Sequence, residues 1–134
     1  MAITKTDAIL LRAEQDIVSA RQGVRRLTHE IGFGIVDQTK MVTAASELAR
    51  NAVVYGGGGE MRYEVLAEGN RRGLRLHFID RGPGIPDVKQ AMEDGWTSGT
   101  GMGLGLSGAK RLVNEFEIET AVGKGTRVTI TRWK

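Results

Sequence analysis

Residues 61–84 read MRYEVLAEGNRRGLRLHFIDRGPG, and their pattern decides the fold class. Met61, Tyr63, Val65 and Ala67 alternate with Arg62, Glu64 and Glu68; Leu74, Leu76 and Phe78 alternate with Arg75 and His77. A period of two puts each apolar set on one side of a strand. With Asn70–Gly73 as the turn, the stretch predicts an antiparallel hairpin with one buried face. Asp80 keeps the phase of Leu74, Leu76 and Phe78, so its carboxylate points toward that face at the strand's end. Such a carboxylate needs a partner, because burying it unpaired is costly. Arg81-Gly82-Pro83-Gly84-Ile85-Pro86 follows, a rigid glycine/proline turn that opens a cavity beside it. An acceptor-only group in an apolar pocket is what an exocyclic amine such as adenine N6 requires. An ordinary turn aspartate is the plainer reading.

Outward from the hairpin the period changes. Ala8–Ala13 reads as a short first strand. Asp16–Ile31 carries Ile17, Ala20, Val24, Leu27 and Ile31, spaced 3, 4, 3 and 4, one stripe of an amphipathic helix that Gly32 and Gly34 stop. A second helix is expected after Asp37 as N-cap and runs to about Tyr55, with Val42, Ala45, Leu48/Ala49, Ala52 and Val53 inward. Beyond the hairpin lies a glycine-rich connection of about twenty residues, long enough to suggest a functional lid or a disordered segment. A third helix is expected over Leu104–Glu115, with Leu106, Ala109, Leu112/Val113 and Phe116 inward. Strands Glu117–Ala121 and Thr126–Trp133, joined at Gly123–Gly125, close the chain. The order β-α-α-β-β-loop-α-β-β predicts an α+β two-layer sandwich. Its sheet is mixed, mainly antiparallel and covered on one face by helices, and one domain spans residues 1–134.

The composition excludes several classes. Of 134 residues, 40% are apolar and 26% charged, ordinary for a soluble globular domain. The absence of cysteine rules out a disulfide framework, a thiolate zinc site and a cysteine nucleophile together. No apolar run reaches the roughly 18–20 residues of a membrane span, and Met1–Asp7 is not a signal peptide; a cytoplasmic protein without a membrane partner is expected. The net charge of +3 comes from 19 basic and 16 acidic residues, and the basic ones are scattered, so no nucleic-acid partner is expected. Glycine is abundant, at 19 residues. The clusters at Gly56–Gly59, Gly82/Gly84 and Gly99–Gly108 point to loops whose backbone approaches something closely.

Four features could carry chemistry. Glu47 and Asn51 stand at i and i+4 on the second helix and project from one face, a pair suited to a divalent cation or to a base beside a metal ligand. Two polar residues on a solvated face would look the same. Asp80 is the second feature. The third is Gly99-Thr100-Gly101-Met102-Gly103-Leu104-Gly105-Leu106, which runs into a helix N-terminus, where converging N–H groups and the helix dipole suit a polyphosphate. No G-K-[ST] follows, and no strand directly precedes it, so Walker and Rossmann readings fail. Alone it could be a flexible linker. Thr126, the fourth, shares phase with Val128 and Ile130, so its hydroxyl faces the same layer as Asp80; a plain strand former would also fit.

Taken in order, Glu47-Leu-Ala-Arg-Asn51, Asp80-Arg-Gly-Pro-Gly84, Gly101-Met-Gly-Leu-Gly105 and Gly125-Thr126 resemble the GHKL (Bergerat-fold) ATP-binding superfamily. That group includes histidine-kinase catalytic domains, DNA gyrase, Hsp90, MutL and bacterial anti-sigma kinases. The resemblance spans nearly the whole chain. Within the superfamily the chain is most similar to the small serine kinases of the bacterial stressosome. That similarity rests on Asp16-Ile-Val-Ser-Ala-Arg-Gln22, Glu30-Ile-Gly-Phe-Gly34, Val36-Asp-Gln38, Gly82-Pro-Gly-Ile-Pro-Asp87, Met92-Glu-Asp-Gly95 and Lys110-Arg-Leu-Val-Asn-Glu-Phe116.

The resemblance implies ATP and Mg²⁺ as cofactors. By it, Asn51 would hold the magnesium, and Glu47 would act as base or orient a seryl hydroxyl. Asp80 would bind adenine N6, with Thr126 near it through water. Gly82, Gly84 and Ile85 would line the adenine pocket, and Gly101, Met102, Gly103, Leu104 and Gly105 the phosphates. The implied partners are STAS-domain antagonist and scaffold proteins, phosphorylated on serine, and a PP2C-type phosphatase activated on release. Trp96 and Met102, apolar residues on a loop expected to be exposed, are compatible with a contact surface. An anti-sigma factor with kinase activity, whose partner would be a sigma factor, shares the same boxes, and so does a switch that uses nucleotide only as structure. A histidine-kinase catalytic domain fits less well, since no proline-marked helix pair follows His29-Glu30. His29 and His77 are both expected at the surface and neither is expected to be catalytic.

Overall fold

The computed structural model describes residues 1–93 and 105–134. Five strands, β1 (Ala2–Leu11), β2 (Gly59–Glu68), β3 (Arg71–Asp80), β4 (Glu115–Ala121) and β5 (Gly125–Trp133), form one sheet in the order β1-β2-β3-β5-β4. Helices α1 (Glu14–Ile31) and α2 (Ile35–Arg50) are the long ones; α3 (Val88–Ala91) and α4 (Leu106–Arg111) are short. This is the expected α+β architecture. All four ladders among the described residues are antiparallel, so the expected mixed component is absent there.

The hairpin forms in the register that its alternation requires: Met61 faces Phe78, Tyr63 faces Leu76 and Val65 faces Leu74. Its turn is Gly69-Asn70 rather than Asn70–Gly73, because Gly69 at φ 58° supplies the left-handed residue and Arg71 already pairs with Glu68. The inner face, with Leu74, Leu76, Phe78, Val128 and Ile130, packs on Ile17, Val24 and Leu27 of α1 and Met41 and Leu48 of α2, all buried. The whole expected stripe of α1 is in this core. Leu76, at the middle of the central strand, is fully buried.

Several boundaries differ from expectation, each for a local reason. β1 begins at Ala2, since its polar first half pairs along β2 as an edge strand that hydrophobic patterning does not mark. It stops at Leu11, where the Asp16 carboxylate takes the N–H groups of Arg12 and Ala13 and starts α1. Gly34, in extended conformation, caps α2, so Asp37 lies in its first turn instead of capping it. The regular helix ends at Arg50, and Asn51–Tyr55 continues it as a π-helical turn. α4 stops at Arg111, and Phe116 belongs to β4, because Asn114 donates its N–H to the Thr131 carbonyl at 2.9 Å.

His77 corrects a further expectation. It lies on the open face of the sheet but is buried, held by Glu64 at 2.8 Å and Thr129 at 2.9 Å. Arg127 donates to its Nδ1 at 3.2 Å, which leaves the proton on Nε2, facing Glu64. Burial pushes the Glu64 carboxyl up, but His77 and Arg75 together carry it below the ordinary value. His29 is exposed as expected.

Candidate functional site

A cleft opens where the end of α2, the end of β3, the start of β5 and the start of α4 meet. The elements converge because each ends there in a non-regular turn. At the end of α2 the Gly56 N–H reaches the Asn51 carbonyl at 2.9 Å, five residues back, and the Gly58 N–H reaches Ala52 at 2.8 Å. This π-turn widens the helix at Asn51, and such widenings recur at functional sites. The cleft walls are apolar, with Leu48, Ala52, Phe78, Ile85, Leu106 and Val128; Asn51, Tyr55, Asp80 and Thr126 supply polar groups. A mostly apolar slot with few convergent polar groups is the usual form of a small-molecule site.

Asp80 is half-buried in the cleft lining. Its Oδ1 accepts the Gly82 N–H at 2.9 Å. Burial raises its carboxyl above the ordinary aspartate value, and backbone N–H groups of Gly82 and Thr126 offset part of that rise. Gly56, the first glycine of the 56–59 cluster, is explained here: a Cβ on it would lie 2.6 Å from the Cβ of Asp80. What its backbone approaches is the carboxylate itself. Gly84, at φ 77°, is left-handed, and a Cβ there would also strike the Ala121 carbonyl.

Thr126 bonds Thr120 at 2.9 Å, and the Thr120 hydroxyl accepts the Ile85 N–H at 2.9 Å while donating to the Gly125 carbonyl at 3.1 Å. The single Thr120 proton is then used, so Thr126 donates to Thr120 and keeps its lone pairs as acceptors. Thr120, Tyr55 and Gly56 were not among the expected site residues. The phase of Thr120 with Phe116 and Ile118 was the available signal for the first.

Of the expected residues, Asn51, Asp80, Gly84, Ile85 and Thr126 line the cleft, and Gly82 braces Asp80 from behind. Glu47 lies one turn before Asn51, bordering a groove between α1 and α2 beside Arg21 and Arg25 rather than the cleft. A Cβ on Gly105, the N-cap of α4, would sit 2.7 Å from Glu47 Oε2, so the carboxylate abuts the start of that helix. Gly101, Met102, Gly103, Leu104 and Trp96 lie outside the described residues. Among the described residues no cluster of three or more His, Asp or Glu could cage a metal. The Asn51 amide oxygen is a hard donor, which fits a Mg²⁺ carried on substrate phosphates with most of its waters.

The sequence profile of the histidine kinase-, DNA gyrase B- and HSP90-like ATPases matches residues 36–134, a span that includes α2, the Asp80 turn and both walls of the cleft. The chain belongs to this ATPase family. The chain is also similar over nearly its full length to the serine/threonine-protein kinase RsbT of Bacillus subtilis (strain 168). The two are 44% identical over 93% of this chain and 94% of RsbT. Anti-sigma F factors are more distant: that of Thermoanaerobacter sp. (strain X514) is 27% identical over 92% of this chain and 89% of its own. That of Clostridium beijerinckii is 29% identical over 84% and 82%. At 93% of this chain, the similarity to RsbT extends over α1, upstream of the span that the family profile covers.

Proposed function

We propose that this ATPase-family chain is a protein serine kinase of a bacterial partner-switching pathway. It phosphorylates a STAS-domain antagonist or scaffold protein and, once released, binds and activates a PP2C-type phosphatase. The observation that carries the nucleotide half is Asp80: a half-buried carboxylate, braced by two N–H groups, in the lining of an apolar slot. The partner half is supported by the chain-long kinship with RsbT.

Mg·ATP is the substrate. Its purine lies in the slot between Ala52, Phe78 and Val128, with N6–H donated to Asp80 and an ordered water shared with Thr126. The glycine run into α4 cradles the phosphates, and Asn51 supplies a magnesium ligand. A magnesium held there would supply neutralisation of the phosphate charge, which is most of what a phosphoryl transfer asks of its surroundings. Glu47, one turn before Asn51, receives the proton of the incoming seryl hydroxyl as Oγ bonds to the γ-phosphorus and the bond to the ADP oxygen breaks.

Incubation with γ-labelled ATP and STAS-domain proteins tests this. Label on a serine, lost in Asn51→Ala and Asp80→Ala variants that remain folded, is expected. Binding without transfer would favour a nucleotide-dependent structural switch. The similarity to anti-sigma F factors supports one alternative, a sigma-binding kinase, and recovery of a sigma factor in place of STAS and phosphatase partners would establish it.

A further inference from the structure

Arg132, near the end of β5, turns its side chain to the helix-covered layer, where it is 14% exposed. Its Nη1 donates to the Leu112 carbonyl at 2.8 Å and its Nη2 to Asp37 Oδ1 at 2.5 Å. Its Nε is buried with no hydrogen-bond partner among the described residues. A buried donor left unmade costs stability, so this arginine is held for its two bridging bonds rather than for an optimal fit.

Those bonds join two helix ends. Leu112 is the C-cap of α4, and Asp37 is in the first turn of α2. The guanidinium meets a C-terminal carbonyl on one side and an N-terminal carboxylate on the other, each in the sense the helix dipoles favour. The other end of α4 abuts Glu47, through Gly105. α4 therefore runs antiparallel along α2 and is fixed at both ends. Asp37 and Glu47 are about 15 Å apart along α2, while Gly105 to Leu112 spans about 10 Å, and the Arg132 side chain bridges the difference.

We propose that Arg132 is a positioning residue for phosphoryl transfer: by tying the last turn of α4 to the first turn of α2, it holds Gly105 against Glu47 and Leu106 in the cleft wall. This rests on the reading of the cleft as a nucleotide site and of Glu47 as the base.

Amide hydrogen exchange on the full chain without nucleotide tests the bridge apart from activity. In Arg132→Met, amides of residues 106–112 are expected to exchange at least about tenfold faster, with α1 changed less than about twofold. Asp37→Asn, at the more exposed partner, is expected to give the same pattern more weakly, and it serves if Arg132→Met does not fold. Uniform acceleration across α1 and α4, or none in α4, overturns the proposal. In kinetics with Mg·ATP and a STAS-domain acceptor, Arg132→Met is expected to lower kcat about tenfold and Arg132→Lys to recover part of it. In a Glu47→Gln background the same change is expected to leave kcat unaltered; a full loss there shows that Arg132 does not act through Glu47 and overturns the proposal. A wild type that transfers no phosphate while α4 still loosens selectively refutes the kinase reading and supports the bridge.

Discussion

At the scale of the residue, Asp80 sets function against stability. Its folded carboxyl ionises above the ordinary aspartate value, chiefly because it is buried. A raised folded value contributes stability that is full below the unfolded value and lost as pH rises through the folded one, so at neutral pH the ionised side chain is a cost. Asp80→Asn removes that charge and keeps an oxygen to accept from Gly82. We expect its thermal midpoint at pH 7 to equal or exceed that of the wild type, while Mg·ATP affinity falls at least about tenfold, read by calorimetry. The same shift gives a pH dependence. An adenine amino group needs the ionised acceptor, so wild-type affinity is expected to fall as pH drops through the raised value, at higher pH than an ordinary aspartate would impose. A flat titration between pH 7 and pH values near ~4 would remove Asp80 from the contact.

At the scale of the element, what the sequence discloses depends on what holds each element. The inward stripe of α1 was legible because it is the helix's interface, and every predicted position is buried. The start of the helix was not, since it depends on one reach-back by Asp16 to two N–H groups. Those bonds, Arg12 first and then Ala13, hold the Asp16 carboxyl below its ordinary value. The stability they give is present above the ordinary value and lost as pH falls through the lowered one. Asp16→Ala is expected to lower the melting midpoint by a few degrees at pH 7 and to leave nucleotide affinity unchanged, with the difference shrinking in acid. The other illegible features have related causes. The π-turn at Asn51–Tyr55 and the early end of α4 are set by backbone groups of Gly56, Asn114 and Thr131, and no side-chain period records them. At the site, Asp80 and Thr126 were readable from phase. Gly56 was legible as a close approach but its partner was not, because a glycine's sequence shows that something is close but not what.

At the scale of the molecule, the cleft is continuous with the core. Leu48, Ala52, Phe78, Ile85, Leu106 and Val128 belong both to its walls and to the buried cluster between sheet and helices. A ligand seated there adds to the apolar layer that the fold already uses, so binding and folding are linked. Leu76 tests the linkage: it is fully buried at the middle of the central strand but is not part of the cleft wall. Leu76→Ala is expected to cost about 2–5 kcal/mol, through lost transfer energy and the void left behind. Nucleotide at about 100 times its dissociation constant stabilises a binding-competent fold by about 2.7 kcal/mol, and by nearly nothing where the site is lost. Urea unfolding with and without Mg·ATP at one fixed concentration should therefore show the same gain in wild type and in Leu76→Ala, and a gain cut to about 1.4 kcal/mol or less in Asp80→Asn. An undiminished gain in Asp80→Asn would place the nucleotide outside this cleft. A gain lost in Leu76→Ala would mean that the core's middle layer and the cleft wall shift as one body.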